Sequence, residues 1–333
     1  MELLLVMNKN QKIEIKIVPI LIIFVVVALL ISAILIVITP QKEKVIQSDF
    51  VTNNYNQTQS TFKKVVFIGE KITVPEIFKI YQTNTTINLD NALANAIIRD
   101  YQLEIHEKLE NYWIKNNYVL IKNTYDGRWS FDSGLTKNEN RVAIIADEAI
   151  NKCFNFFSKY NIVATLTAQK DNIIYLDGNL QQEKTDPKKA TSLQIPLSYE
   201  LDGYPVFYQN ESNYPFFCKI NNNYEIERIT FKENLYVFES VKEIPSINMN
   251  QAIKNIKNGK ASIINAQSQI VEAIDLNWIN EAELQSVSID YRFDENLKIA
   301  YPFYKFQAKL INSAGINIQA EIITPAVVST VQK

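Results

Sequence analysis

The sequence predicts an α+β fold: an N-terminal transmembrane helix followed by tandem units, each a helix and then an antiparallel meander. Three observations predict it. One long uncharged apolar run lies near the N-terminus, two helix starts resemble each other at a fixed offset, and period-two runs bounded by turn residues follow each helix. The chain has 333 residues, is 47% hydrophobic and carries 17 Tyr and 17 Phe, which is ample for a packed core. Its seven glycines argue against Gly-rich phosphate loops. Lys plus Arg (34) nearly balances Asp plus Glu (36), so no global field favours nucleic acid or anionic lipid.

Residues 17–38, IVPILIIFVVVALLISAILIVI, are 22 residues without a charge. At ~1.5 Å per residue they reach about 33 Å, the thickness of a bilayer's hydrocarbon core. Ser32 is the lone ordinary polar side chain, and Pro19 falls in the first turn, where its missing N–H costs little. No small-x-small cleavage site and no lipobox cysteine follow, so the run is expected to be a retained anchor rather than a signal peptide. Lys9, Lys12 and Lys16 precede it, and Lys42 and Lys44 follow. That bias is slight, and the large C-terminal portion with no second span is the stronger reason to place it outside the cell membrane. Residues 1–16 then form a cytoplasmic tail and the polar stretch 39–62 a stalk.

The folded part divides by its helix starts into 63–140, 141–245 and 246–330. INLDNALANAI, 87–97, and INMNQAIKNIK, 247–257, match at an offset of 160 residues. Asn88 and Asn248 are expected N-caps, with Gln251 placed to complete a capping box. Leu89, Leu93, Ile97, Tyr101, Ile105, Leu109 and Trp113 recur at every fourth residue, predicting one long amphipathic helix. Val142, Ile145, Ala149, Cys153, Phe156, Phe157 and Tyr160 predict a second.

The strands alternate. Val287, Ile289, Tyr291 and Phe293 share one face. Tyr304, Phe306, Ala308 and Leu310 face one way while Lys305, Gln307 and Lys309 face the other. After the turn NSAG, 312–315, Ile316, Ile318, Ala320 and Ile322 return the strand, a half-buried hairpin. Asp126-Gly127 marks another hairpin turn. Tyr-Pro-x-aromatic occurs at Tyr204, Tyr214 and Tyr301, three of ten prolines. Proline suits a strand's first residue, so the phrase is expected to open strands beneath helices. Cys153 and Cys218 read as free, buried small hydrophobes, with a bridge in an oxidising compartment as the alternative.

No constellation specifies a reaction, and no catalytic, cofactor-binding or metal-ligating residue is assigned. His106 is the sole histidine. HEKLE, 106–110, lacks the second His of a zinc H-E-x-x-H helix, leaving His106 and Glu110 as helix-flank residues. Asp126, Asp132, Asp171, Asp177 and Asp186 lack calcium-loop spacing. Asp294-Glu295 reads as a solvated turn. A hydrolase acting on envelope polymers would need carboxylates converging near Asp126, Asp132 or Asp294; a structural or adhesion module would need none. The polar loop 177–192 reads as a solvated hairpin extension.

The helix start INMNQAI, a meander, and then AYPFYKFQAKLINSAGINIQAEIITPAV resemble the PepSY-like unit. The same arrangement behind one membrane anchor, with SLQIPLSYELDGYPVF and the segment through NYEIERITF in the middle, looks like the YycH/YycI group. The resemblance covers about 141–328, and more loosely 63–135. It implies a non-enzymatic extracytoplasmic regulator that acts by protein binding, as that group restrains a membrane histidine kinase, and it transfers no functional residue. The expected partners are therefore the membrane, through 17–38, and another envelope or membrane protein, with no nucleic acid and no cofactor.

Overall fold

The computed structural model describes residues 62–134, 143–162, 166–177, 183–209, 211–268, 279–312 and 315–328. The expected anchor at 17–38 and nearly all of the stalk lie outside the described residues; among those described, no helix is long and apolar enough to cross a membrane.

The fold class differs from the expected tandem of helix-plus-meander units. The chain is dominated by strands, eighteen in one network of mixed pairing, with three α-helices among the described residues. One sheet holds β1 (Lys64–Phe67), β2 (Ile77–Asn88), β11 (Tyr204–Tyr208), β14 (Asn234–Pro245), β15 (Ser262–Ser268), β16 (Ile279–Asp294), β17 (Ile299–Asn312) and β18 (Asn317–Pro325). The other holds β3 (Glu104–Ile105), β4 (Tyr112–Lys115), β5 (Tyr118–Asn123), β6 (Arg128–Asp132), β7 (Leu166–Ala168), β8 (Ile174–Asp177), β9 (Glu183–Lys184), β10 (Ser192–Leu201), β12 (Phe216–Asn221) and β13 (Ile226–Lys232). The β10–β11 hairpin joins them. Serial units fail because strands far apart in sequence pair. β1 and β11 both run parallel beside β16, β2 pairs with β14, and β6 pairs with β13. Parallel pairing of such distant segments leaves no local signature.

The helices are α1 (Asn95–Asp100, entered through a π turn at Asp90–Ala94), α2 (Ala146–Lys159) and α3 (Met249–Lys257). Asn88 and Asn248 do cap: their side-chain oxygens accept the N–H of Asn91 and Gln251, each at 2.9 Å. Gln251 does not close a capping box; its amide bonds Asn255 instead. The long first helix is not formed. It stops at Asp100, and Gln102 turns the chain with φ +52°. The four-residue period from Ile105 to Trp113 arises because those two residues face each other across the β3–β4 pair.

The core has two parts. Leu89, Leu93 and Ile97 join Ala149, Cys153, Phe156 and Phe157 of α2 against the inner face of the second sheet. Met249, Ala252 and Ile256 of α3 pack on Tyr304, Phe306, Ala308 and Leu310. The β17–β18 hairpin forms as expected, with Phe306 opposite Ile322 and Ala308 opposite Ala320. Proline placement is partly as expected. Tyr204 opens β11 and Pro215 precedes β12, but Pro302 sits inside β17. Tyr301 does not face α3: it lies on the other side of the sheet with Phe303, Ile323 and Ile264.

That other face is covered too. Asp290, Arg292 and Asp294 are fully buried there, so Asp294 is no solvated turn residue; its Oδ1 accepts the N–H of Asn296 and Leu297. Lys305, expected to be solvated, keeps 18% of its side chain exposed and lies 3.9 Å from Asp290. Its ammonium sits 4.8 Å from the centre of the Phe207 ring.

Phe306→Ala should cost about 3–5 kcal/mol by opening a cavity against α3. Lys305→Ala should cost about 1–2 kcal/mol, since it strips a covered cation from a ring and a carboxylate. Gln319→Ala, exposed on β18, should stay within about 0.5 kcal/mol. Chemical denaturation measures all three, and a neutral Lys305→Ala would contradict burial of the second face. Burial also pushes the Tyr304 hydroxyl, which donates to the Ile247 carbonyl at 2.7 Å, up to about 12 from its ordinary 10.0. The neutral phenol is then favoured by folding, fully so below the unfolded value and no longer once pH passes the folded one. Base unfolding is expected between about pH 10 and 12, read from phenolate absorbance, and Tyr304→Phe should shift that profile. Ionisation of every tyrosine near pH 10 with the fold intact would contradict it.

Candidate functional site

A cleft of about 300 Å³ opens where α2 crosses the second sheet. Tyr101, Tyr118, Phe131, Ser133, Lys152, Phe156, Tyr224 and Ile226 line it. Each wall has a local cause. Tyr101 is the C-cap of α1, where the chain leaves the helix. Tyr118 and Phe131 come from β5 and β6, the hairpin whose turn carries Asp126-Gly127, with Gly127 at φ +66°. Phe156 is on the buried face of α2, and Lys152, one turn earlier, points to solvent. Tyr224 stands in the β12–β13 turn at φ +59°, a strained value for a tyrosine, and its hydroxyl accepts the Ile145 N–H at 3.0 Å, anchoring the start of α2.

Behind the cleft, Cys153 of α2 and Cys218 of β12 form a disulfide with Cα atoms 6.0 Å apart. The free-thiol reading is thereby corrected. Cys153 is on the expected apolar stripe, and Cys218 faces inward from β12, so both sulfurs sit in the core and meet. The bond clips the helix that carries Phe156 and Lys152 to the sheet.

The rings form a contiguous surface. Tyr101 lies 4.8 Å from both Tyr118 and Phe131, while Tyr118 and Phe131 are parallel to within 3°. Phe156 stacks on Phe131 at 6.3 Å. Lys159 pairs with Asp100 at 2.9 Å and lies 5.8 Å from the Tyr101 ring centre. Hydrogen bonds to Asp100 and Tyr160 hold the Lys159 ammonium above its usual range, and the same bond to Lys159 holds Asp100 below its own. Burial raises the Tyr101 hydroxyl, with Lys159 acting against it. Among the described residues the lining contains no Asp, Glu, His or Cys. Such a wall suits apolar or aromatic groups.

The residues the sequence singled out lie elsewhere. His106 is on no helix; its Nδ1 accepts the Lys108 N–H at 3.2 Å, and its ring meets Tyr112 edge-on. Glu110 is exposed, and no His/Cys/Asp/Glu group able to hold a metal occurs among the described residues. Asp126 receives the Arg128 N–H, and Asp132 pairs with Arg228. Asp171 is exposed, Asp177 is paired across β8–β9, and Asp186 accepts the Lys188 N–H. Asp126, Asp132 and Asp294 do not converge. Asp126 is at the β5–β6 turn, Asp132 is at the far end of β6, and Asp294 is buried at the end of β16 in the other sheet.

A second polar centre joins the sheets. Glu211, just after β11, takes Lys232 Nζ at 2.6 Å and the Arg128 guanidinium on its carboxylate. Its carbonyl accepts Arg292 Nη1 at 2.6 Å, and Arg292 forks onto Asp290 at 3.0 and 2.5 Å. Every ion here has a partner, so the centre is a clamp rather than a vacant site. Sequence periodicity finds neither centre, since both assemble from distant strands.

Removal of the disulfide by Cys153→Ala with Cys218→Ala should destabilise the domain by about 2–5 kcal/mol, as measured by denaturation beside the oxidised protein. No difference between the two would show that the bond contributes nothing to holding α2.

No protein family matches the chain, and no curated protein sequence does. Among solved structures, YycH from Bacillus subtilis is similar at 11% identity with a TM-score of 0.36, over 75% of this chain and 52% of that one. The chain thus spans about half the length of that structure.

Proposed function

We propose that the chain is a membrane-anchored extracytoplasmic protein-binding module, a regulator or assembly factor at the cell envelope, that holds its partner at the aromatic cleft. The observation that carries this reading is the composition of the cleft wall. Three tyrosines and two phenylalanines meet at one solvent-open surface with a lysine and a serine and, among the described residues, no carboxylate, histidine or thiol. Tyrosine-rich rigid surfaces are what partners grip, because they combine large contact area with few rotatable bonds. Two features favour the compartment. The uncharged run 17–38 is long enough for an anchor, and the Cys153–Cys218 bond fits an oxidising milieu.

Protease added to intact cells should remove residues beyond the anchor, while protection until lysis would contradict the topology. A photocrosslinking side chain placed at Tyr118 in the native membrane should capture one envelope protein. The same group at Glu239, exposed on β14, should not. Equal capture at both positions, or capture of cytosolic proteins alone, would overturn the proposal.

A further inference from the structure

We infer that the cleft receives a single aromatic side chain of the partner, with a carboxylate next to it in the partner's sequence meeting Lys152. This rests on the protein-binding reading and specifies what is bound. Size comes first. About 300 Å³ is the small end of the range for ligand pockets; it admits a side chain but not a helix laid along a groove. The wall chemistry comes second. Tyr101 is tilted by 49° and 47° against Tyr118 and Phe131, and those two are parallel. Aromatic quadrupoles favour such tilted and offset arrangements, so another ring extends the set where an aliphatic chain gains area alone.

Charge comes third. Among the described residues Lys152 is the one charged residue on the lining, and it is exposed. The neighbouring cations Lys159 and Arg99 share the Asp100 carboxylate, at 2.9 and 3.5 Å. Among the described residues the lining sets no carboxylate beside the exposed Lys152 ammonium, and a carboxylate flanking the inserted ring complements it.

The test uses the full-length chain in detergent micelles and a fluorescent peptide, Gly-Asp-Phe-Asp-Gly, followed by anisotropy. Saturable binding is expected, weakened about tenfold or more when alanine replaces the phenylalanine. Lys152→Glu, a solvent-facing change that leaves the core untouched, should reverse the charge preference: weaker binding of the Asp peptide and gain of binding to Gly-Lys-Phe-Lys-Gly. Equal binding of the alanine peptide, or an unchanged charge preference in Lys152→Glu, overturns the inference. Crosslinking at Tyr118 to an envelope protein without any peptide binding also overturns it but leaves the protein-binding reading standing. Failure of both overturns both.

Discussion

The last six residues of β16, Ile289–Asp294, are buried on both faces of the sheet, and the rest of the domain is arranged around that constraint. One face begins in the core beneath α3, with Ala282, Leu284 and Ile289, and ends in the core beneath α2, with Tyr291 and Phe293. The opposite face carries Asp290, Arg292 and Asp294 into the interior. Two fully buried carboxylates and a guanidinium are costly unless each finds partners. The fold supplies them: Arg292 forks onto Asp290 and reaches the Glu211 carbonyl, and the turn after β16 satisfies one oxygen of Asp294. Glu211 in turn meets Lys232 and Arg128 of the second sheet. A polar row on one strand thereby ties the two sheets together.

The cleft depends on this arrangement at one remove. Its rings come from β5, β6, α1, α2 and the β12–β13 turn, elements aligned by pairing of β6 with β13 and by the Cys153–Cys218 clip. Asp202, in the β10–β11 turn, adds a second tie between the sheets. Its carboxylate takes the hydroxyls of Tyr81 and Tyr291 at 2.7 and 3.1 Å and the Lys79 ammonium at 3.2 Å. Rigid walls built from strands and a clipped helix hold rings in place better than loops do.

Local features were legible in the sequence and non-local ones were not. The caps at Asn88 and Asn248, the Asp126-Gly127 turn and the β17–β18 hairpin rest on residues a few positions apart, and each formed where its pattern stood. The parallel pairings of β1 and β11 with β16 join segments more than eighty residues distant, and no periodicity marks them. The stripe from Leu89 to Trp113 misled because a four-residue period continued past the true helix end into two paired strands. Lys305 misled for a different reason. Alternation identified its face correctly, but nothing in β17 itself signals that Phe207 and Asp290 cover that face. Cys153 was placed inward by its helix stripe and Cys218 was read as buried from its residue type alone, yet their meeting is a fact of tertiary structure. The cleft was invisible because it draws on five elements.

If β16 and its buried charges unite the two sheets, the domain unfolds as one cooperative body rather than as serial units. Native-state hydrogen exchange on the full-length chain tests this most directly. Amides of β12 and β13 in one sheet and of β17 and β18 in the other should show the same opening free energy and the same response to denaturant. Separate opening of the second sheet, with β17 and β18 still protected, would contradict the account.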